Sequence, residues 1–220
     1  MDRRQNKQLW LIIFLAWLPS AFAGCAAAPE RRHPDYSSYI QNLHTVLVLS
    51  PEVNLFEEMS DGKVMPYEEG SQEARAQIQR ALKGRLEAKH VAVKTAEASL
   101  AEDNDAVSVQ RLFRAVNRSI QLHTYGPQFF PAKLESFEYE VGPVDLLLKK
   151  AGADALVLVM GHQTESTAQP KTWLSIALIE AQGHIVWYCM QGAKEDLKIQ
   201  SMAGAQALVE LTLKHFPGGG

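Results

Sequence analysis

The feature that most constrains the fold is a series of three apolar segments in the last third of the chain. Ala155–Met160 contains only apolar residues, which is typical of a buried strand. Two further strand-like segments follow, Trp173–Ala181 and His184–Met190, joined by Gln182 and Gly183. A short connection that contains glycine predicts a tight antiparallel hairpin. Strands this apolar need cover on both faces, which favours a sheet packed by helices.

Earlier segments supply the remaining strands and helices. Thr45–Leu49 is a further buried strand, and Asp61-Gly62 predicts a second hairpin, in which Pro66 restricts one strand to the edge of the sheet. Apolar residues at helical spacing, with Leu112 and Met202 among them, predict the helices. Their expected starts are Ser71, Asn104, Gly142 and about Met202. The fold class is therefore α/β: a single domain, residues 43–217, with a mixed β-sheet packed by about four helices, and a flexible tail at 218–220.

The N-terminus has the order of a secretory signal peptide. Arg3, Arg4 and Lys7 precede an entirely apolar run, Leu9–Leu18, and small residues follow up to Gly24. A membrane-spanning helix is the alternative, but it needs about 20 apolar residues, more than this segment provides. We therefore expect residues 1–24 to be a signal peptide that directs the chain out of the bacterial cytoplasm.

The end of this signal peptide leaves two cleavage sites open. Phe22-Ala23-Gly24-Cys25 resembles the bacterial lipobox, in which the peptide is cut before a cysteine that becomes acylated, although Leu is more usual than Phe at the first position. Ala21-Phe22-Ala23 also fits the A-x-A site of ordinary signal peptidase. The resemblance favours lipidation at Cys25, with acyl chains such as palmitate. Several acyl chains would hold the protein stably on a membrane.

The charge and composition of the mature chain predict a membrane-tethered protein that has no nucleic-acid partner. Removing residues 1–24 takes away three of 22 basic and one of 25 acidic residues, which leaves a net charge of −5. Nucleic-acid binding would call for a basic stripe instead. Residues 25–42 contain charges and prolines without apolar periodicity, and they predict a short tether. Cys189, the other cysteine, lies in a strand-like apolar run and is expected to be a buried, unreactive thiol.

Few residues indicate chemistry. The seven histidines lack the spacing of a metal site, no nucleotide-binding or hydrolase motif occurs, and no cofactor is expected. The only polar cluster after a strong strand is Gly161–Thr167, which is expected to be a loop. It is either a ligand-binding or hydrolytic site or an ordinary solvated crossover. If it is a solvated crossover, replacing His162 or Glu165 is expected to change the stability of the protein little.

Two tryptophans remain in the mature chain, on the two strands of the late hairpin. Trp173 and Trp187 are expected to pack in the core or across the strands. An exposed aromatic patch that binds a protein partner is the alternative.

The C-terminal half resembles a family of periplasmic lipoproteins. The resemblance lies in Lys150–Val159, which contains Gly-Ala-Asp before an apolar strand, and in Leu174–Trp187, where a strand, a glycine turn and an Ile-Val-Trp strand follow. Both are similar to lipoproteins around the curli secretion lipoprotein CsgG and the penicillin-binding-protein activator LpoB. The resemblance implies a fold like the N-terminal domain of TolB and action through protein contacts, with no shared catalytic residues.

These observations together predict a non-enzymatic lipoprotein of the bacterial outer membrane that faces the periplasm. Ala26 follows Cys25, and in lipoproteins of this kind an aspartate at that place commonly causes inner-membrane retention. The expected role is binding or scaffolding in a cell-envelope assembly or secretion complex, with an envelope protein as partner and a possible homo-oligomer. The alternatives are a ligand-binding or hydrolytic domain that uses residues 161–167, and a ring-forming secretion component.

Overall fold

The computed structural model describes residues 30–96, 103–126, 130–165, 171–193 and 197–218. Cys25 and the predicted signal peptide lie outside these residues. The strands are β1 (Glu30–Arg32), β2 (Thr45–Val48), β3 (Glu52–Glu58), β4 (Val64–Pro66), β5 (Ala92–Thr95), β6 (Ala155–Glu165), β7 (Lys171–Ile179) and β8 (Ile185–Gly192). The helices are α1 (Tyr36–Ile40), α2 (Glu68–Glu87), α3 (Asn104–Ile120), which continues into a π-helical turn (Gln121–Tyr125), α4 (Pro131–Glu135), α5 (Asp145–Ala151) and α6 (Met202–Thr212).

All eight strands belong to one mixed sheet, which confirms the predicted fold class. The strand order is β1-β8-β7-β6, and both β2 and β3 pair with the same edge of β6. Strand β2 pairs in parallel with the first part of β6, and β3 pairs in parallel with its second part. The sheet then divides, because β5 extends it beside β2 while β4 extends it beside β3.

Helices cover both faces of this sheet. On one face, α2 and α6 pack on the side chains of Val157 and Val159. On the other face, α3 and α5 pack on Leu156 and Leu158. Successive residues of a strand point to opposite faces, so the continuous apolar run of β6 contributes to both cores. No helix in the described part of the chain has the length and apolar character needed to cross a membrane.

The structure has six α-helices in the described residues, where about four were predicted. The additional helices, α1 and α4, contain five residues each. They are too short to show a helical period in the sequence. Helix α2 also begins before Ser71: the Ser71 hydroxyl donates to the Tyr67 carbonyl and accepts from the Leu55 amide, so it ties the helix to β3.

Two residues that were predicted on apolar helix faces are half-exposed instead. Leu112 in α3 is 50% exposed and Met202 at the start of α6 is 49% exposed. Both have helical spacing from core residues, but spacing does not show how far the neighbouring element extends over a helix.

The domain begins earlier in the chain than the sequence indicated. Residues 30–40, which the sequence placed in a tether, form β1 and α1. Strand β1 pairs antiparallel with β8, with Glu30 opposite Cys189 and Arg32 opposite Trp187. The indole of Trp187 donates to the Glu30 carboxylate at 3.4 Å, and the Arg31 guanidinium lies 5.0 Å from the centre of the Tyr125 ring. Charged side chains therefore hold this short edge strand in place, which apolar periodicity cannot reveal.

Candidate functional site

The predicted polar loop is not a loop over its first five residues. Gly161–Glu165 continues β6, paired with β3 on one side and, as far as Thr164, with β7 on the other. Ser166 and Thr167 lie outside the described residues. The polar residues were mistaken for a loop because strand pairing continues beyond the apolar part of β6. Their side chains consequently alternate between the two faces of the sheet.

Gln163 and Glu165 have structural roles on the α6 face. The buried Gln163 side chain accepts from the Ile199 amide at 2.8 Å and donates to the Glu165 carboxylate at 2.9 Å. Gln200 donates to the same carboxylate oxygen at 3.1 Å. The two side chains therefore fasten the segment that leads into α6. The prediction that Glu165 is an ordinary solvated loop residue is wrong.

His162 lies on the opposite face and is the centre of an aromatic cluster. Its ring lies 5.1 Å from that of Phe56 on β3 and 5.9 Å from that of Trp173 on β7, and it stacks on Trp173 with an interplanar angle of 14°. All three side chains are half-buried. We call Phe56, His162 and Trp173 the aromatic face.

The electrostatic setting of His162 keeps its imidazole neutral. Burial lowers the pKa of His162 below its ordinary value, and the positive charge of Lys171 lowers it further. The Nε2 atom lies 2.8 Å from the Thr164 hydroxyl on the same face of β6. A neutral imidazole can accept a proton or a hydrogen bond from that hydroxyl.

A polar cleft of about 430 Å³ lies where the chain passes from β2 to β3. Its lining residues are Ser50, Pro51, Glu52, Asn54, Arg75, Gln110 and Arg114. The cleft adjoins the aromatic face, because Asn54 is opposite His162 in the strand pairing. The site therefore combines a polar end with an aromatic end.

The cations of this cleft are already engaged. Arg114 donates to the Glu52 carboxylate from Nε at 3.0 Å and forms an ion pair with it at 2.9 Å. Arg75 donates to the Val53 carbonyl at 3.1 Å and pairs with Glu68 at 3.2 Å. Gln110 donates to the Ser50 carbonyl at 3.0 Å. These contacts join α2 and α3 to the break between β2 and β3, so they position the cleft as well as line it.

A second polar cluster is buried beneath α3. The Asn117 carbonyl oxygen accepts from the Ser175 hydroxyl at 2.9 Å and from the Tyr188 hydroxyl at 2.7 Å. All three side chains are at most 2% exposed. Burial also raises the pKa of Tyr188, so its hydroxyl stays protonated and donates. The cluster joins α3 to β7 and β8 and is closed to substrates.

The cysteine and histidine positions indicate no metal or thiol chemistry within the described residues. Burial raises the pKa of Cys189 to about 12, which leaves the thiol protonated and poorly nucleophilic. No group of three or more potential metal-ligating side chains occurs in the part of the chain that the structure describes.

Sequence reasoning found one half of this site and missed the other. It named His162 and Trp173, but separately, because their contact depends on the pairing of β6 with β7. The two tryptophans also differ: Trp187 is fully buried, whereas Trp173 is half-buried at the edge of the core. The cleft residues come from three separate segments without a shared motif, so no sequence signal could have grouped them.

No protein-family model matches the chain, and no curated protein sequence matches it significantly. Solved structures with a partly similar shape include the PelC dodecamer from Paraburkholderia phytofirmans, with 11% identity, a TM-score of 0.37, and coverage of 84% of this chain and 91% of that one. Lipoprotein GNA1162 from Neisseria meningitidis has 13% identity and a TM-score of 0.35, covering 69% of this chain and 81% of that one. The LpoB C-terminal domain from Salmonella enterica has 12% identity and a TM-score of 0.32, covering 73% and 93% respectively. Likenesses this weak assign neither a family nor an activity to this chain.

Proposed function

We propose that this protein is a non-enzymatic lipoprotein, acylated at Cys25, that binds a protein component of the cell envelope through its aromatic face. It is anchored in the outer membrane and faces the periplasm. The N-terminal signal pattern supports the anchor, and the geometry of Phe56, His162 and Trp173 supports the binding role.

The observation that carries the binding role is the partial exposure of three neighbouring aromatic rings on a stiff support. Each of the three rings belongs to a different strand, and the strands are hydrogen-bonded to one another. Large aromatic side chains that are already held in place lose little conformational freedom on binding, and such residues are enriched among those that dominate protein interfaces. Rings buried completely would instead serve only the core, as Trp187 does.

A photo-crosslinker provides the direct test. Lys171 is exposed and lies two residues from Trp173, while Lys83 is exposed on α2, which covers the opposite face of the sheet. We expect a crosslinking residue at position 171 to capture an envelope protein from intact cells, and one at position 83 to capture none. Equal capture at both positions would contradict the proposal. Capture of a second copy of this chain at position 171 would support self-assembly instead.

A pair of substitutions tests whether the aromatic face is needed in the cell. We expect Trp173→Ala to abolish capture of the partner while the protein remains folded and membrane-bound. Leu146→Ala is the matched control, because Leu146 is 59% exposed on α5, and the Val144 amide before this helix donates to the Ala181 carbonyl, past the end of β7 that is remote from Trp173. Loss of capture in both variants would show a general defect and not a specific interface.

The anchor is tested by acylation and fractionation. Cys25→Ser is expected to abolish labelling by a fatty-acid probe and to release the protein into the soluble periplasm. A wild-type protein that is soluble and unlabelled would show that cleavage occurs after Ala23 instead. For the outer membrane, density-gradient separation is expected to place the wild type with outer-membrane markers, and Ala26→Asp is the informative variant.

A hydrolytic role is the second candidate, and it is favoured by the 2.8 Å contact between His162 and Thr164. A neutral imidazole next to a hydroxyl is the arrangement of a base and a nucleophile. Thr164→Val removes the hydroxyl with little change in shape. If the protein acts by binding alone, this variant should capture the partner and function normally. If it acts by hydrolysis, the variant should still capture the partner but lose function.

A further inference from the structure

We propose that the tip of the β3–β4 hairpin, Met59–Met65, lies against the lipid surface as a second membrane contact. This inference rests on the proposed lipidation at Cys25. It adds an orientation: the strands stand upright on the membrane, with the hairpin tip facing the lipid.

The first argument is the direction in which the chain leaves the domain. Glu30 lies opposite Cys189 on the antiparallel strand β8. Followed from Glu30 back toward Cys25, the chain therefore leaves the sheet in the direction in which β8 runs from Cys189 to Gly192. Gly192 pairs with Trp173 near the start of β7, and Lys171 pairs with Thr164 near the end of β6. The hairpin tip follows the end of β3 at this same end of the sheet.

The second argument is length. Five residue steps separate Glu30 from Cys25, so the acylated sulfur lies within about 17 Å of Glu30 along the chain. The strand axis from the level of Glu30 to that of Glu165 measures about 20 Å at the usual rise per residue. The anchor is thus too short to hold the domain far from the bilayer, and its full reach ends near the level of Met65, which pairs with Glu57 beside Glu165.

The opposite orientation fits poorly. The other end of the sheet, at Ile185, lies about 13 Å from the level of Glu30. To reach it the chain would first have to reverse, and a reversal takes about four residues. The remaining two steps before Cys25 cover only about 7 Å. The lipid anchor therefore favours the end of the sheet that carries the hairpin.

The third argument is the surface of the tip. Met59, Val64 and Met65 are 51%, 48% and 51% exposed, and they are three of eight large apolar side chains that are exposed among the described residues. Val64 and Met65 are neighbours on β4 and point to opposite faces of the ribbon. A protein partner would need to cover both faces, whereas a lipid surface can receive apolar side chains from both faces of the ribbon.

Charge decides the depth of the contact. The tip itself contains Asp61 and Lys63, whose side chains pair at 2.8 Å, and Glu57 and Glu58 directly precede it. Carboxylates are costly in the hydrocarbon core, so the tip rests at the level of the headgroups. An acidic tip also gains nothing from anionic lipid. The contact is apolar and independent of salt concentration.

The contact and the anchor together would fix the domain at two points. Strands β1 and β4 are separated by five strand spacings in the order β1-β8-β7-β6-β3-β4, which corresponds to about 24 Å. With both points held, the aromatic face is directed sideways along the membrane. A partner in the same membrane could then meet it.

Depth-dependent quenching tests the orientation with the full mature protein. The acylated protein is placed in phosphatidylcholine vesicles that contain nitroxide-labelled lipid, with a fluorophore on Met65→Cys. Cys189 does not interfere, because it is buried with a raised pKa. The matched control is Gln182→Cys, an exposed position in the β7–β8 turn at the other end of the sheet.

The expected result is strong quenching by the nitroxide lipid at position 65, insensitive to salt, and none at position 182. Combined replacement of Met59 and Val64 by serine should abolish the quenching at position 65 without a change in thermal stability, because both side chains are already half-exposed. Protein that floats with the vesicles but shows an aqueous label at position 65 overturns the inference and leaves the anchor intact. Protein that does not float overturns the lipidation on which it rests.

Discussion

The two hairpins of this domain have similar sequence signals and opposite surroundings. The β3–β4 turn contains Gly62 at φ 79° and the β7–β8 turn contains Gly183 at φ 96°. The turn at Gly62 is hydrogen-bonded within itself, since the Met59 amide donates to the Lys63 carbonyl at 2.8 Å. The turn at Gly183 also accepts from outside, because the Val141 amide donates to the Gly183 carbonyl at 2.9 Å. The tip of one hairpin stands out from the fold, whereas the turn of the other is covered at Gly183 by the Val141 segment.

This difference shows which hairpin contributes to the stability of the fold and which presents exposed side chains to other molecules. The β7–β8 hairpin lies in the interior of the sheet and carries side chains of both cores. In the β3–β4 hairpin, β3 pairs with β6 and β4 pairs with β3, and the tip that joins them is exposed. Substitutions in the first hairpin should therefore affect folding, whereas those of the exposed side chains Met59, Val64 and Met65 at the tip of the second should affect contacts with other molecules.

The largest difference is expected for Trp187→Ala. Trp187 is fully buried and lies edge-on to Phe216, with ring centres 5.0 Å apart. Removing its indole leaves a cavity and should lower the free energy of unfolding by about 3–5 kcal/mol. The matched variant in the exposed hairpin, Val64→Ala, should stay within about 0.5 kcal/mol of the wild type. Chemical denaturation measures both, and equal effects would remove the distinction between the hairpins.

The glycines of the two turns should respond unequally to alanine. A left-handed backbone conformation costs a non-glycine residue about 1–2 kcal/mol, and both variants would incur this cost. At Gly183 an added Cβ would also overlap the Gly142 carbonyl group, whereas the space around Gly62 is open. Gly183→Ala should therefore destabilise the protein more than Gly62→Ala in the same denaturation measurement. The reverse order would show that the Gly142 segment can move away freely.

Asn117→Ala should show how much the buried hydrogen bonds to Asn117 stabilise the β7–β8 hairpin. The substitution leaves the hydroxyls of Ser175 and Tyr188 without the acceptor that they share. Leaving buried hydroxyls without that acceptor should cost about 1–3 kcal/mol. Asn54→Ala, at an exposed position of β3, is the control and should have almost no effect on the midpoint of thermal unfolding. A neutral Asn117→Ala would show that water can take the place of the amide.

The smallest effect is a pH dependence that Cys189 confers on the buried hairpin. Burial raises the pKa of this thiol from 9.0 to about 12 in the folded protein. The folded state therefore keeps a proton that the unfolded state releases above pH 9, and stability falls as the pH rises from 9 toward 12. The slope is at most about 1.4 kcal/mol per pH unit for one proton. Cys189→Ala should show a shallower decline between pH 9 and 10, and an unchanged slope would contradict the assignment.

The candidate site was predicted in part. His162 and Trp173 were identified from composition and strand pattern. The placement of Trp173 across the strands agrees with its stacking on His162, whereas the placement of His162 in a loop was wrong. Their stacking follows from the register of β6 against β7, and that register is set by side chains along the whole hairpin. Glu165 shows the same limit. Its structural role depends on Gln200, which lies 35 positions later and is brought near by the path of the chain into α6.

The sequence by itself determined the α/β fold class, both hairpins and the glycine end of α5, because hydrophobic periodicity and turn chemistry act over a few residues. The expectation of export and of lipidation at Cys25 also comes from local sequence. Only the tertiary structure decided that Glu30–Arg32 belongs to the sheet, that β6 continues through Glu165, and that the Gly183 turn is covered while the tip at Gly62 is exposed. Those outcomes depend on strand pairing and helix packing between segments far apart in the chain, and local patterns carry no information about which distant partner will cover them.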